Sequence, residues 1–121
     1  MFSYVIVGTN DLEKSLPFYD TFLKELGSQR LKETPRGAFY GNGKGPMLAV
    51  MKPFDGNKAT IGNGSMIALN VANPEEINRL HALALTLGAV DEGAPGVRLG
   101  TFYCAYFRDL DGNKFNLFCM A

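Results

Sequence analysis

The chain has 121 residues, enough for one domain that buries roughly two-thirds of the surface its unfolded form exposes. Twelve basic and twelve acidic side chains cancel and neither sign clusters, so there is no electrostatic case for nucleic acid or an anionic membrane as a partner. No apolar run approaches the roughly 18 residues needed to cross a bilayer, and the start lacks the basic-then-apolar layout of a secretory leader. The two cysteines, Cys104 and Cys119, do not make a disulfide framework, so the expectation is a reduced, cytoplasmic protein.

Phe2 to Val7 is β-branched and aromatic, a strand bounded by Gly8. Asn10 and Glu13 have the spacing of a capping box and predict a helix start. Leu12, Leu16, Tyr19, Phe22, Leu23 and Leu26 then recur at helical spacing and define one buried face. Pro17 lies inside this helix and removes a backbone donor, which predicts a bend or loosening. Gly27 suits the left-handed residue after the last turn. Short strands follow near Gln29 to Glu33, Gly37 to Gly41 and Met47 to Lys52, with a turn from Gly41 to Pro46 between the last two.

Pro53 to Gly64 reads as a linker with its own turn at Phe54 to Asn57. The plan then repeats. Ser65 to Val71 forms a strand, and Asn73, Pro74, Glu75 and Glu76 supply cap, first-turn proline and acidic first turn. Ile77, Leu80, Ala84 and Leu87 make the buried stripe, and Gly88 closes the helix. Strands near Val90 to Glu92, Phe102 to Phe107 and Lys114 to Met120 complete the unit. The expected architecture is α+β: duplicated βαβββ modules, about 1–52 and 64–121 with a linker at 53–63.

Two segments resemble the vicinal-oxygen-chelate superfamily, which holds the glyoxalases, bleomycin-resistance proteins and extradiol dioxygenases. They are the start, Tyr4 to Tyr19, and the close, Arg108 to Asn116. The resemblance implies one domain in which the sheets curl into a mixed half-barrel with helices on the outer side. It also implies metal ligands pointing inward from the first and last strands of each module. Here the mapped positions fall on Tyr4, Met66 and Asn116, and no His or carboxylate occurs between Gly41 and Phe54 for the remaining one. A phenol, a thioether and a neutral amide are poor partners for zinc, manganese or iron. No metal or other cofactor is therefore expected.

Those positions still face the family's cavity. Alternation on the last strand puts Lys114, Asn116, Phe118 and Met120 on one side. In fosfomycin-resistance relatives an inward Tyr lies ten residues before the final ligand; Tyr106 holds that spot here and brings Phe102 and Cys104 inward. Tyr4, Met66, Tyr106 and Asn116, with Cys104 and Arg98, would line a pocket suited to a neutral aromatic or amphipathic small molecule. The competing reading is a cavity filled by its own side chains. Three functions stay open: a binding or resistance-type protein, a lyase, isomerase or dioxygenase with atypical ligands, and a structural or interaction module. Exposed sheet edges and Phe54 in the linker add the expectation of a homodimer.

Other tempting features have plainer readings. His81, the only histidine, is placed by the helical stripe at the edge of the buried face, as a packing or surface residue. Asp109 to Asn113 starts like a calcium loop but lacks its later ligands and reads as a hairpin turn. Gly41 to Pro46 lacks the end of a phosphate loop. Cys104 has no base placed to activate it, and the face alternation predicts that it cannot bond to Cys119.

Overall fold

The computed structural model describes all 121 residues, Met1 to Ala121. They form two compact units, Met1–Ile61 and Gly62–Ala121. The first runs β1 (Tyr4–Gly8), α1 (Leu12–Lys24), β2 (Gln29–Thr34), β3 (Gly37–Gly41) and β4 (Met47–Met51). The second runs β5 (Ile67–Asn70), α2 (Pro74–Thr86), β6 (Val90–Arg98), β7 (Phe102–Arg108) and β8 (Lys114–Met120). Each unit is thus βαβββ, with one four-stranded sheet, and the strand orders β1-β4-β3-β2 and β5-β8-β7-β6 are equivalent. The outer pair β1–β4 (or β5–β8) is parallel and the other neighbours are antiparallel, so both sheets are mixed and unclosed. No helix is long and apolar enough to cross a membrane.

In the first unit α1 buries Phe18, Tyr19, Phe22 and Leu23 on the sheet face that carries Val7, Ala38, Tyr40, Leu48 and Val50, all buried. The period-2 alternation of the strands sends Tyr4 and Ile6 the other way, and they are 47% and 53% exposed. Pro17 sits inside α1 without ending it. The helix start departs from the expected capping box. Asp11 is the N-cap and accepts from the Lys14 amide at 3.3 Å. Asn10 instead clamps the linker: its Oδ1 accepts from the Ala59 amide at 2.7 Å and its Nδ2 donates to the Ala59 carbonyl at 3.1 Å. Two hydrogen bonds to an otherwise unpaired linker backbone outcompete one cap.

In the second unit Asn73 caps α2 as expected, accepting from the Glu76 amide at 2.9 Å, with Pro74 next in line. Ile77, Leu80 and Ala84 bury themselves on a sheet face built from Ala105, Phe107, Phe115 and Leu117, with the Phe107 and Phe115 rings stacked at 5.4 Å. The helix also carries His81 inward. Its Nε2 lies 3.0 Å from an Asp91 carboxylate oxygen and 3.2 Å from the Tyr106 carbonyl, so it is a buried packing residue. The Asp109 carboxylate is consumed by the hairpin: its Oδ1 accepts from the Asp111 and Asn113 amides at 2.9 and 2.8 Å, and its Oδ2 from the Asn113 side chain at 2.9 Å. That leaves a turn rather than a calcium loop.

One strand is longer than expected. β6 continues past Glu92 through Gly93, Pro95 and Gly96 to Arg98, with two register shifts against β7. Gly and Pro signal a strand end in sequence, but β6 is the edge strand, where a missing donor at Pro95 costs no ladder bond and bulges are tolerated. The extension is what carries Arg98 back along the sheet.

Candidate functional site

The helix covers one face of each sheet. In the second unit, the register across β7 and β8 sets the other face: Phe102 opposite Met120, Cys104 opposite Phe118, Tyr106 opposite Asn116 and Arg108 opposite Lys114. Directly opposed residues of an antiparallel pair share a face, so Tyr106 and Asn116 stand side by side with Cys104 one step along. Phe102 and Phe118 meet edge to face at 5.0 Å. Cys119 falls on the helix face; both thiols are buried and free. Burial, then the neighbouring Cys104 and Glu75, holds the Cys119 thiol above its ordinary pKa, which keeps it in the unreactive protonated form.

Arg98 is fixed by the strand it ends. One guanidinium nitrogen donates to the Ala94 carbonyl at 2.7 Å and another to the Val97 carbonyl at 3.4 Å. Its carbon lies 5.8 Å from the Tyr106 ring centre. Lys114, reaching from the opposite neighbour of β7, puts its Nζ 5.4 Å from the same centre. Burial raises the Tyr106 phenol above its ordinary pKa, the Cys104 sulfur adds to this, and Arg98 partly offsets it. The phenol is therefore a neutral hydrogen-bond donor at physiological pH.

Two glycines that the sequence reading passed over make this arrangement possible. A Cβ on Gly93 would come within 2.8 Å of the Tyr106 ring, and one on Gly96 within 2.9 Å of the Arg98 guanidinium. Both side chains lie over bare backbone. The signal is the Gly93 to Gly96 run itself, which reads as a strand end in sequence and serves in the sheet as a floor beneath larger groups.

Asn116 is the anomaly. It is only 6% exposed, and its Oδ1 is buried with no hydrogen-bond partner. Buried polar atoms are nearly always paired, and leaving one unpaired costs about 1–3 kcal/mol. Around it the face is only half covered: Phe102, Tyr106 and Phe118 are of intermediate exposure.

The second sheet therefore brings together Tyr106, Asn116, Cys104 and Arg98, and adds Lys114. Met66 immediately precedes β5 and is 45% exposed. Tyr4 belongs to the first unit, on the face of β1 away from α1, where its ring meets Phe39 edge to face at 5.0 Å.

The comparisons with known proteins agree with this architecture. The family model for the glyoxalase/bleomycin resistance protein/dioxygenase superfamily matches residues 2–117. The chain belongs to this superfamily. A crystal structure of a glyoxalase/bleomycin resistance protein from Albidiferax ferrireducens is similar at 38% identity and TM-score 0.89, over 98% of this chain and 97% of that one. A hypothetical protein from S. aureus is 28% identical with TM-score 0.76, over 98% and 91% of the two chains. A glyoxalase-related enzyme from Fulvimarina pelagi shares the fold at 22% identity and TM-score 0.78, over 98% and 86%. No curated protein matches.

Superfamily members that act on a metal need several imidazole or carboxylate donors converging on it. Within neither unit do three or more His, Cys, Asp or Glu side chains gather in a way that could hold a metal ion. The buried donors on the open face are the Asn116 amide oxygen and the Cys104 thiol, beside a Tyr106 ring that two cations approach. Neighbouring positive charge opposes a further cation, and these residues do not fit a divalent metal.

Proposed function

We propose that this superfamily member binds a small organic molecule on the open face of its second sheet, without metal chelation. The observation that carries the reading is Asn116 Oδ1, buried and unpaired amid half-covered apolar side chains. A face devoted only to packing gains nothing from such an atom, whereas a ligand that supplies the missing donor turns the penalty into selectivity. Phe102, Phe118 and Met66 would take the apolar or aromatic body, the neutral Tyr106 phenol would donate to a polar substituent, and Cys104 would lie inert beneath it.

We also propose a cytoplasmic homodimer. Two buried free thiols suit a reducing compartment. Tyr4, Ile6 and Phe54, the last 89% exposed, offer a second copy apolar surface to cover. Light scattering at micromolar concentration should give twice the chain mass, and a monomer would refute that part.

A thermal-shift screen of small aromatic and aliphatic compounds tests the binding reading. Hits should raise the melting temperature of the wild type and lose most of that effect in Tyr106→Ala and Asn116→Ala. Equal shifts in all three proteins would refute this site. Metal-dependent turnover of a glyoxal–thiol adduct or a catechol would refute the non-metal reading.

A further inference from the structure

Resting on the binding reading above, we infer that the ligand is an organic acid. Its carboxylate sits by Arg98 and Lys114, and its apolar or aromatic body carries a hydroxyl or N–H group that donates to Asn116. A neutral ligand is what the residue types alone suggested; the placement of the charges argues otherwise.

The two cations approach one ring, Tyr106, from the strands on either side of β7. Neither has a carboxylate partner: Arg98 donates only to the Ala94 and Val97 carbonyls, and Lys114 forms no ion pair. The third cation of this face, Arg108, is already spent. Its Nε donates to Glu92 at 2.8 Å and its Nη1 to the Gly112 carbonyl at 3.0 Å. With Glu92 engaged, two positive charges remain uncompensated beside a half-buried apolar surface, in a chain whose formal net charge is zero.

Arg98 is also pre-arranged. The Ala94 carbonyl and the bare backbone of Gly96 hold its guanidinium against the sheet, leaving further N–H groups for an acceptor. A guanidinium held in this way loses little side-chain freedom when it meets a carboxylate, and charge-assisted hydrogen bonds of this kind are the strong ones. Lys114 contributes a second, more mobile charge. Asn116 Oδ1 then selects among acids, because only one with a correctly placed donor removes its unpaired state.

The probes are benzoate, 3- and 4-hydroxybenzoate and the matching hydroxybenzamides, titrated by calorimetry into wild type, Arg98→Met/Lys114→Met, Asn116→Leu and Tyr106→Ala. The acids should bind wild type about tenfold or more tightly than the amides. The double variant should erase that preference, weakening the acids far more than the amides. Asn116→Leu should weaken hydroxybenzoate but not plain benzoate. Amides that bind as tightly as acids, through a site lost in Tyr106→Ala, would overturn the acid inference and leave the small-molecule reading standing. Acid binding that needs the two cations but survives both Asn116→Leu and Tyr106→Ala is surface ion pairing and would overturn both. Failure of every probe to bind would also overturn both.

Discussion

The two units share a fold and differ in what they put on it. Strand order, helix position and parallel pairing are equivalent, yet their largest polar clusters are placed differently on the sheet. In the first unit the polar investment is on the helix side. Asp20 on α1 accepts from the Arg30 guanidinium at 2.8 and 2.7 Å and from the Tyr40 hydroxyl at 2.8 Å. Its open face carries Tyr4, Ile6, Phe39 and Met47, with Lys32 opposite Phe39 on the edge strand. In the second unit the open face holds Tyr106, Asn116, Arg98 and Lys114. A satisfied network stabilises; an unsatisfied one, as at Asn116, waits for something. The first arrangement is structural, and the second is where we place the proposed ligand.

The comparison breaks most visibly in the hydrophobic layer both units need. Phe107→Ala and Phe22→Ala should each destabilise by about 3–5 kcal/mol, since both rings are almost fully buried. Phe118→Ala, on the half-covered open face, should cost clearly less in denaturant melts. Equal losses for Phe118 and Phe107 would mean that the open face is core.

Asn116→Leu should move the other way. Replacing the unpaired amide by an apolar group of similar size should raise stability by up to about 1–3 kcal/mol, while the shifts induced by ligands that donate to the amide shrink. Gain of stability with loss of binding is the mark of a functional site; a destabilised variant would mean that the amide has a structural partner.

Caps give the next effect. Asp11→Ala and Asn73→Ala should each cost about 1 kcal/mol. Asn10→Ala should leave α1 intact and loosen the linker at Ala59, seen as faster amide exchange there. Slower exchange, or a loss of helicity in Asn10→Ala, would restore the capping box.

The smallest effect is on the acid side. Hydrogen bonding to Arg30, partly offset by burial and helped by the Tyr40 hydroxyl, holds the Asp20 pKa below its ordinary value. A lowered carboxylate contributes stability fully present above the ordinary value, about pH 4, and lost as pH falls through the lowered one. Melting temperature should therefore drop more steeply below about pH 4 in wild type than in Asp20→Asn. The carboxylate is partly exposed, so the difference should be modest. Identical acid limbs would remove Asp20 from the network's account.

Much of this protein was legible in its sequence because the deciding signals are local. Asn73 and Pro74 start α2, the stripe of Ile77, Leu80 and Ala84 finds the sheet, and alternation along Lys114 to Met120 separates Asn116 from Cys119. Each depends on a periodicity or a cap that one segment carries by itself. That Tyr106 lies beside Asn116 was implied by the family resemblance, and the register across β7 and β8 agrees with it. What only the tertiary structure decided depends on segments meeting across the fold. Asn10 gave up its cap for Ala59, forty-nine residues away. Gly93 and Gly96 continued an edge strand instead of ending it, since tolerance for bulges and proline depends on having one neighbour rather than two. Two cations from different strands converged on one ring, and an amide was buried with nothing to bond. A sequence names the donors and charges; pairing is a property of distance, and distance is set by packing.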